Sequence, residues 1–161
     1  MLIRPFADHD VPAALALNNA CVPDVNELDE SAVWRLLGIS DLALTAEVDG
    51  RFAGFCWTMG PGQQYESLNY AWFSRQYDDF AYLDRIAVHP DFRRYGIGRA
   101  FYADLQERLR GVRPVLLCEV NIRPRNERSL QFHAEIGFAE VGQQDTDEGT
   151  KTVSLLAMPL D

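Results

Sequence analysis

The sequence predicts an α/β protein with a mixed central sheet of about seven strands and helices on both faces. Strand-like and helix-like patterns alternate along the second half of the chain, which is typical of a sheet covered by helices. Residues 115–120 are nearly all apolar, as expected for a strand buried on both faces. The pair Asp49-Gly50 separates two strand-like runs and is a strong two-residue hairpin signal. With 161 residues, the chain is expected to form one domain, 1–161.

The first half of the chain predicts three strands and two helices. The strands are expected at residues 2–6, 42–48 and 51–59, and the first helix over residues 10–20. Asp10 is a good N-cap for that first helix. Asp29 or Ser31 is expected to cap the second helix. This helix should run through Leu37, with Gly38 as the glycine that follows its end.

The second half predicts four strands and two helices. The strands are expected at residues 80–88, 115–120, 138–141 and 152–158, and the helices at 98–110 and 126–137. The helix over 98–110 carries one apolar residue every four positions, which predicts a single buried stripe. Asn126 should cap the last helix and Gly137 should end it. Residues 142–150 are polar and are expected to form a loop.

Residues 60–80 form a longer connection than two neighbouring strands require, and the segment is rich in aromatic and acidic residues. Tyr70, Phe73 and Tyr77 recur at helical spacing, so we expect a short helix or an ordered flap over a binding site. A dimer contact and plain surface packing are the alternatives.

A phosphate site is predicted at residues 86–99. Pro90 interrupts a β-branched run because it has no N–H to donate to a sheet. Two arginines follow, then two glycines flanking one isoleucine, then a helix. Small residues and a helix N-terminus leave backbone N–H groups facing outward, and arginine side chains add charge-assisted hydrogen bonds.

The six residues Arg93-Arg94-Tyr95-Gly96-Ile97-Gly98 resemble the pyrophosphate-binding signature of GNAT-type N-acetyltransferases, which runs Gln/Arg-x-x-Gly-x-Gly/Ala. Residues 126–138, read together with Asn121, resemble the helix that follows in that family. The two motifs occur in the expected order and together cover residues 81–141. The sequence is therefore identified as a suspected member of the GNAT-type acyl-CoA N-acetyltransferase superfamily.

The resemblance implies the GNAT-like fold and the transfer of an acetyl group from acetyl-CoA to the amine of a small molecule or peptide. It places coenzyme A in a wedge between the strands at 82–88 and 115–120, without a metal ion. The backbone N–H of Val88 corresponds to the family's donor to the thioester carbonyl. The expected cofactor-binding residues are Ala87, Val88, Arg93, Arg94, Gly96, Ile97, Gly98, Arg99, Asn126 and Phe132.

Proton handling has several candidates. Asp84 and Glu119 are the candidates for the base that deprotonates an ammonium acceptor, and a water chain without a dedicated residue is a further possibility. Asp84 has the alternative of a salt bridge, and Glu119 that of bonding loop backbone. His133 occupies the position at which the family often has a Tyr that acts as general acid. It is therefore a candidate for protonating the departing thiolate. Its alternative is a helix-surface histidine.

The acceptor is expected under residues 65–80. We expect contacts from Tyr70, Trp72, Tyr77 and Asp78, with an acceptor that is cationic before it reacts. Aromatic faces and carboxylates both attract an ammonium group, so this segment is the predicted source of specificity.

Charge and cysteine content limit the partners and the compartment. The net charge is −9, which argues against a nucleic-acid partner. Residues 85–128 alone carry +5, which suits a polyanionic cofactor. Three widely spaced cysteines are expected to be free thiols in a reducing compartment, and no apolar run approaches a membrane span, so a cytoplasmic monomer or homodimer is expected.

Two other classes of function fit part of the pattern. A non-catalytic acyl-CoA-binding sensor would keep the phosphate loop without turnover. A dinucleotide-binding oxidoreductase would use Gly96 and Gly98 in a similar fingerprint, but its third glycine position is Phe101 here.

Overall fold

A computed structural model describes residues Met1–Asp161 and contains one seven-stranded mixed sheet in the order β1-β2-β3-β4-β5-β7-β6. The strands are β1 (Leu2–Pro5), β2 (Leu42–Val48), β3 (Arg51–Met59), β4 (Ala81–Val88), β5 (Val115–Arg123), β6 (Ala139–Thr146) and β7 (Lys151–Pro159). The helices are α1 (Val11–Ala20), α2 (Glu30–Ile39), α3 (Leu68–Gln76), α4 (Ile97–Leu109) and α5 (Glu127–Ile136). The predicted α/β class with a mixed sheet is confirmed. None of these helices has both the length and the apolar character that crossing a membrane requires.

The chain divides into two compact units, each built from two segments. The first unit contains Met1–Met59 and Leu83–Arg108, and the second contains Gly60–Tyr82 and Leu109–Asp161. The single-domain expectation stays a prediction.

The first unit is built on the antiparallel strands β1, β2 and β3. The predicted hairpin turn between β2 and β3 is confirmed, because Asp49 and Gly50 have φ values of 51° and 75°. Positive φ at both central positions is what a type I′ turn requires, and Val48 pairs with Arg51 across it. The two-residue turn thus places β3 directly beside β2.

Asp10 does not cap α1 as predicted. Its side chain is 3% exposed and accepts hydrogen bonds from Arg4, from the backbone N of Ala7 and from Thr45 Oγ1 at 2.7 to 2.9 Å. A short 3-10 turn over Asp8–Asp10 therefore precedes α1. Burial raises the pKa of Asp10, but the hydrogen bonds from Arg4 and Ala7 outweigh this effect and lower it overall.

The end of α2 also differs from the prediction. Asp29 caps the helix through a bond from Ala32 N at 2.7 Å, as expected. Gly38 lies inside the helix, which continues to Ile39, and the hydroxyl of Ser40 donates to the Leu36 carbonyl at 2.8 Å. This side-chain bond occupies a terminal carbonyl, so the helix end needs no glycine after Leu37.

The second unit contains β5, β7 and β6, with α3 and α5 on opposite faces. Trp72 of α3 lies against Gly142, which pairs with Leu155 of β7. Gly137, at the end of α5, lies against Met158 of the same strand. Leu155 and Met158 are three residues apart in one strand, so they face opposite sides of the sheet.

The predicted loop over 142–150 is wrong over most of its length. The strand β6 continues to Thr146, and only residues 147–150 form the turn to β7. The ladder shifts register between Glu140 and Gly142, and the indole of Trp72 occupies the space that a side chain at Gly142 would fill. The polar residues 142–146 therefore belong to a strand on which α3 packs. Their local sequence does not predict this strand.

The long connection contains the predicted short helix, α3. Ser67 caps it by accepting from Tyr70 N at 3.1 Å. Tyr70 and Phe73 are buried on its inner side, and Tyr77 follows its last residue. The helical spacing of these aromatics therefore correctly indicated a short helix, although Tyr77 lies beyond its end.

Gly54 in β3 allows the backbone at the end of β4 to approach β3 closely within the first unit. A Cβ atom at Gly54 would lie 2.5 Å from the carbonyl oxygen of Ala87 and 3.3 Å from the Cα of Val88. Both neighbours are backbone atoms, so they cannot rotate away as a flexible side chain would.

We predict that Gly54→Ala lowers the free energy of unfolding by about 1–3 kcal/mol, because β4 must shift to accept the methyl group. Urea denaturation measures this loss. Gly38→Ala is the matched control, since a Cβ at that helical position meets nothing within 4 Å and should stabilise α2 by about 0.5–1 kcal/mol. Equal stability of the Gly54→Ala variant and the wild type would contradict the close approach.

Candidate functional site

The segment after β4 turns sharply from strand to helix. His89 N donates to the Ala53 carbonyl at 2.8 Å, which holds the end of β4 against β3. Residues Pro90–Phe92 form a short 3-10 turn, and the Phe92 side chain is buried. The backbone then emerges at the surface, because residues 93–96 are all exposed.

The exposed loop at 93–96 leads into the first turn of α4, whose backbone N–H groups have no partner within the helix. Arg94 and Gly96 both have positive φ, 78° and 75°. The first bond of α4 runs from Ala100 N to the Gly96 carbonyl at 3.0 Å, so the N–H groups of residues 97–99 have no partner within the helix. A Cβ at Gly96 or Gly98 would meet nothing within 4 Å, so the protein leaves the space beside both glycines open.

Positive charge surrounds this open space. Arg93 and Arg94 are exposed on the loop, and Arg99 is exposed on the first turn of α4. The helix macrodipole adds partial positive charge at the same end. The charge of Arg93 also acts on Cys21, at the end of α1. Burial raises the pKa of the Cys21 thiol, and the positive charge of Arg93 partly offsets this rise. The arrangement is suited to binding an anion with several oxygen atoms.

Asp84 forms an ion pair inside the first unit, as its alternative interpretation anticipated. Its carboxylate accepts from Arg85 Nε at 2.8 Å, and both side chains are 4–5% exposed. Arg85 also donates to the side-chain oxygens of Asn18 and Asn26, at 2.8 and 3.0 Å. The same guanidinium lies 5.8 Å from the ring centroid of Trp57. This network links β4 to the segment that follows α1.

The asparagines of this network were missed by sequence reasoning. Asn18 is 1% exposed and donates to the carbonyl of Asn26 at 3.0 Å. Asn19 bonds both backbone groups of Leu28, at 2.9 and 3.0 Å. A pair of adjacent asparagines at the end of a predicted helix was the available signal, since such residues often bond nearby loop backbone.

Glu119 lies beside Tyr82 in the second unit. The Tyr82 hydroxyl is 2.8 Å from each oxygen of the Glu119 carboxylate. Tyr82 is 1% exposed, whereas Glu119 is half-buried on β5. A bond from a buried tyrosine was not among the predictions for Glu119, and its predicted roles stay predictions.

His133 is buried rather than on the helix surface. It is 7% exposed, and its Nδ1 lies 2.7 Å from the carbonyl oxygen of Ser129, to which it donates. Its ring also packs edge-on against Phe132 and Phe138, each with centroids 5.4 Å away. Burial lowers the pKa of His133, although the bond to Ser129 works in the opposite direction. The neutral imidazole is therefore favoured.

The predicted acceptor residues of the 65–80 segment differ in exposure. Tyr70 is 4% exposed, and its hydroxyl donates to the Gly60 carbonyl and accepts from Gln63 N at 2.7 and 3.0 Å. Trp72 packs on β6, so both residues anchor α3. Tyr77 is half-buried and Asp78 is exposed. These last two keep surface for contact with a ligand.

Comparison with known proteins defines the class of this protein. Residues 14–138 match the model of the acetyltransferase (GNAT) family. The chain is 25% identical over 142 residues to the [ribosomal protein bS18]-alanine N-acetyltransferase of Salmonella typhimurium, which covers 78% of this chain and 95% of that protein. The chain belongs to the GNAT family, and the predicted acyltransferase enzyme is confirmed.

Solved structures share the fold. The ribosomal-protein-S18-alanine N-acetyltransferase of Escherichia coli has a TM-score of 0.75 at 24% identity, over 99% of this chain and 94% of that chain. An acetyltransferase from Salmonella typhimurium, solved with its cofactor acetyl-CoA, has a TM-score of 0.72 at 18% identity, over 100% and 94% of the two chains. The GNAT-like fold predicted from two motifs is thus confirmed over the whole chain.

We predict that His133 makes stability depend on pH. A folded-state pKa below the unfolded value means that the unfolded chain binds the proton more readily, so stability falls as pH drops below about 6.5. The slope approaches about 1.4 kcal/mol per pH unit for one proton. Urea denaturation between pH 7.5 and about 5 should show a shallower decline for His133→Gln than for the wild type.

His9→Gln is the control for the same substitution at an exposed site, since the His9 side chain is 77% exposed and its Nε2 lies 3.5 Å from Asp10 Oδ1. This variant should not show the shallower decline expected for His133→Gln. A decline for His133→Gln parallel to that of the wild type would show that His133 titrates alike in both states.

Proposed function

We propose that this enzyme transfers an acetyl group from acetyl-CoA to a primary amine. The observation that carries the proposal is the open space beside Gly96 and Gly98 at the start of α4, where the N–H groups of residues 97–99 have no partner within the helix. A pyrophosphate needs several donors and positive charge, and this loop offers both. Arg93, Arg94 and Arg99 are its proposed side-chain partners.

Acetyl-CoA supplies an activated thioester, and residues of this chain would orient it. The backbone N–H of Val88 is the proposed donor to the thioester oxygen. Such a donor contributes about 3 kcal/mol when it is aimed at the developing negative charge. The contact with Gly54 supports this role, because a fixed backbone donor needs no reorganisation during the reaction.

Glu119 is the proposed general base. An ammonium acceptor must lose a proton before its nitrogen forms the bond to the acetyl carbon and the carbon–sulfur bond breaks. Asp84 is paired with Arg85 and its side chain is only 4% exposed, whereas Glu119 is half-buried and can be approached by an acceptor. His133 donates through Nδ1 and is favoured in its neutral form. We therefore assign to solvent both the removal of the second proton from the acylated nitrogen and the protonation of the departing thiolate.

The proposed acceptor is the α-amino group of a polypeptide. The relative from Salmonella typhimurium is named as an N-acetyltransferase that acts on the alanine of a ribosomal protein. The charge outside residues 85–128 is −14, which favours approach of a basic partner. Tyr77, Asp78 and Glu66 retain exposed or partly exposed surface for such a partner. Small-molecule amines are the second class of acceptor to be tested.

We predict that Gly98→Val weakens coenzyme A binding about tenfold or more, because the family signature accepts only Gly or Ala at this position. A Cβ at residue 98 meets no protein atom within 4 Å and the φ of Gly98 is not positive, so the branched side chain would extend into the space proposed for the phosphate. Calorimetric titration with coenzyme A measures the effect, and Gly38→Val is the control. Unchanged affinity in Gly98→Val would place the pyrophosphate elsewhere.

We also predict that peptides with a free N-terminal alanine followed by basic residues release thiol from acetyl-CoA faster than their N-terminally blocked forms. Mass spectrometry should then locate the acetyl group on the α-amine. A panel of aminoglycosides and lysine-containing blocked peptides serves as the comparison. Turnover with that panel alone would assign the enzyme to a different amine class.

A further inference from the structure

The pair formed by Tyr82 and Glu119 has an unusual geometry for a tyrosine and a carboxylate. The hydroxyl is equidistant from the two carboxylate oxygens, at 2.8 Å from each. A phenolic O–H has one proton to donate, and an ionised carboxylate accepts without donating. The bond therefore favours Glu119 in its charged form and resists rotation of the carboxylate.

Strand register explains how the two side chains meet. Tyr82 of β4 pairs with Leu117 of the parallel strand β5. Glu119 lies two residues further along β5 and therefore on the same face as Leu117. The length of the tyrosine ring spans the offset between the two positions.

The ring of Tyr82 is fixed from the opposite side by α3. Its centroid lies 5.8 Å from that of Tyr70 and 5.7 Å from that of Phe73. Tyr70 is itself held by the backbone of Gly60 and Gln63. The hydroxyl of Tyr82 is thus presented by packed aromatic rings rather than by a flexible side chain.

We propose that Tyr82 is a positioning residue for Glu119, which keeps the carboxylate ionised and aimed for proton transfer from the acceptor amine. This inference rests on the proposed role of Glu119 as general base. Tyr82 does not exchange a proton with the acceptor itself. Its O–H stabilises the charged carboxylate before the reaction, so that the base is available at lower pH than it would otherwise be.

Other titratable groups near this face are few and identifiable. On β4 the next residue of the same face is Asp84, which pairs with Arg85. On α3 the titratable residues are Tyr70 and Arg75, and Tyr77 follows its last residue. On β7 the residues of this face include the apolar Val153, Leu155 and Ala157, and Lys151 at the start of the strand pairs with Asp147. The helix α5 packs against β5 and carries His133. It covers the opposite face of the sheet, because Gly137 at its end lies against Met158.

Tyr82→Phe tests the proposal, because it removes the O–H and keeps the ring. The acidic limb of the pH profile of kcat/KM for the amine should move to higher pH by about one unit, which is about a tenfold loss of rate on that limb. The rate should recover in the same sample as the pH is raised. The KM for acetyl-CoA should stay unchanged. A folding defect would not be reversed by raising the pH.

Two further variants separate the possible outcomes. Tyr102→Phe removes the hydroxyl of another buried tyrosine, on α4, and its acidic limb should stay at the wild-type pH. Glu119→Gln should abolish the limb and lower kcat at least a hundredfold. An unmoved limb in Tyr82→Phe, with the limb lost in Glu119→Gln, would overturn the role of Tyr82 and leave Glu119 as the base. Full activity of Glu119→Gln with an unchanged limb would instead overturn the base assignment, and the role of Tyr82 with it.

Discussion

The close approach of two strand backbones at Gly54 is the packing constraint on which the candidate cofactor site depends. With no Cβ at this position, the Ala87 carbonyl and the Val88 Cα can lie against β3. The bond from His89 N to Ala53 then fixes where β4 ends. The loop and the first turn of α4 start from that point, so a glycine far upstream determines where their free N–H groups are presented.

Buried charge separates the structural carboxylates from the proposed catalytic one. Asp10 and Asp84 are nearly inaccessible, and each is paired with an arginine within its own unit. Removing either arginine would leave an uncompensated charge, so these pairs belong to the framework. Glu119 retains partial exposure and accepts from the Tyr82 hydroxyl. A base must be reachable by the group whose proton it accepts, and a half-buried carboxylate meets this condition better than one that is nearly inaccessible.

Local signals in the sequence were sufficient for most of the fold. The turn at Asp49-Gly50, the cap at Asn126 and the αL glycine at 137 each report a backbone requirement within a few residues, and all three are found. Two of the wrong predictions concern residues with partners that are distant in sequence. Asp10 was assigned as a cap, although its buried carboxylate also accepts from Thr45, and residues 142–146 of β6 were assigned to a loop, although Trp72 packs on Gly142. The end of α2 was missed for a local reason, because the Ser40 hydroxyl bonds the Leu36 carbonyl.

The candidate site shows the same contrast between local and distant signals. The exposed loop at 93–96 and the start of α4 could be predicted because the arginines, the glycines and the helix start are consecutive. The pairing of Tyr82 with Glu119 depends on the register between two strands, which no local pattern encodes. Aromatic density in the 65–80 segment predicted contacts with an acceptor, but Tyr70 and Trp72 anchor α3. The inner aromatic face of α3 therefore packs on Tyr82, and Tyr77 and Asp78, which stay proposed acceptor contacts, follow the last residue of the helix.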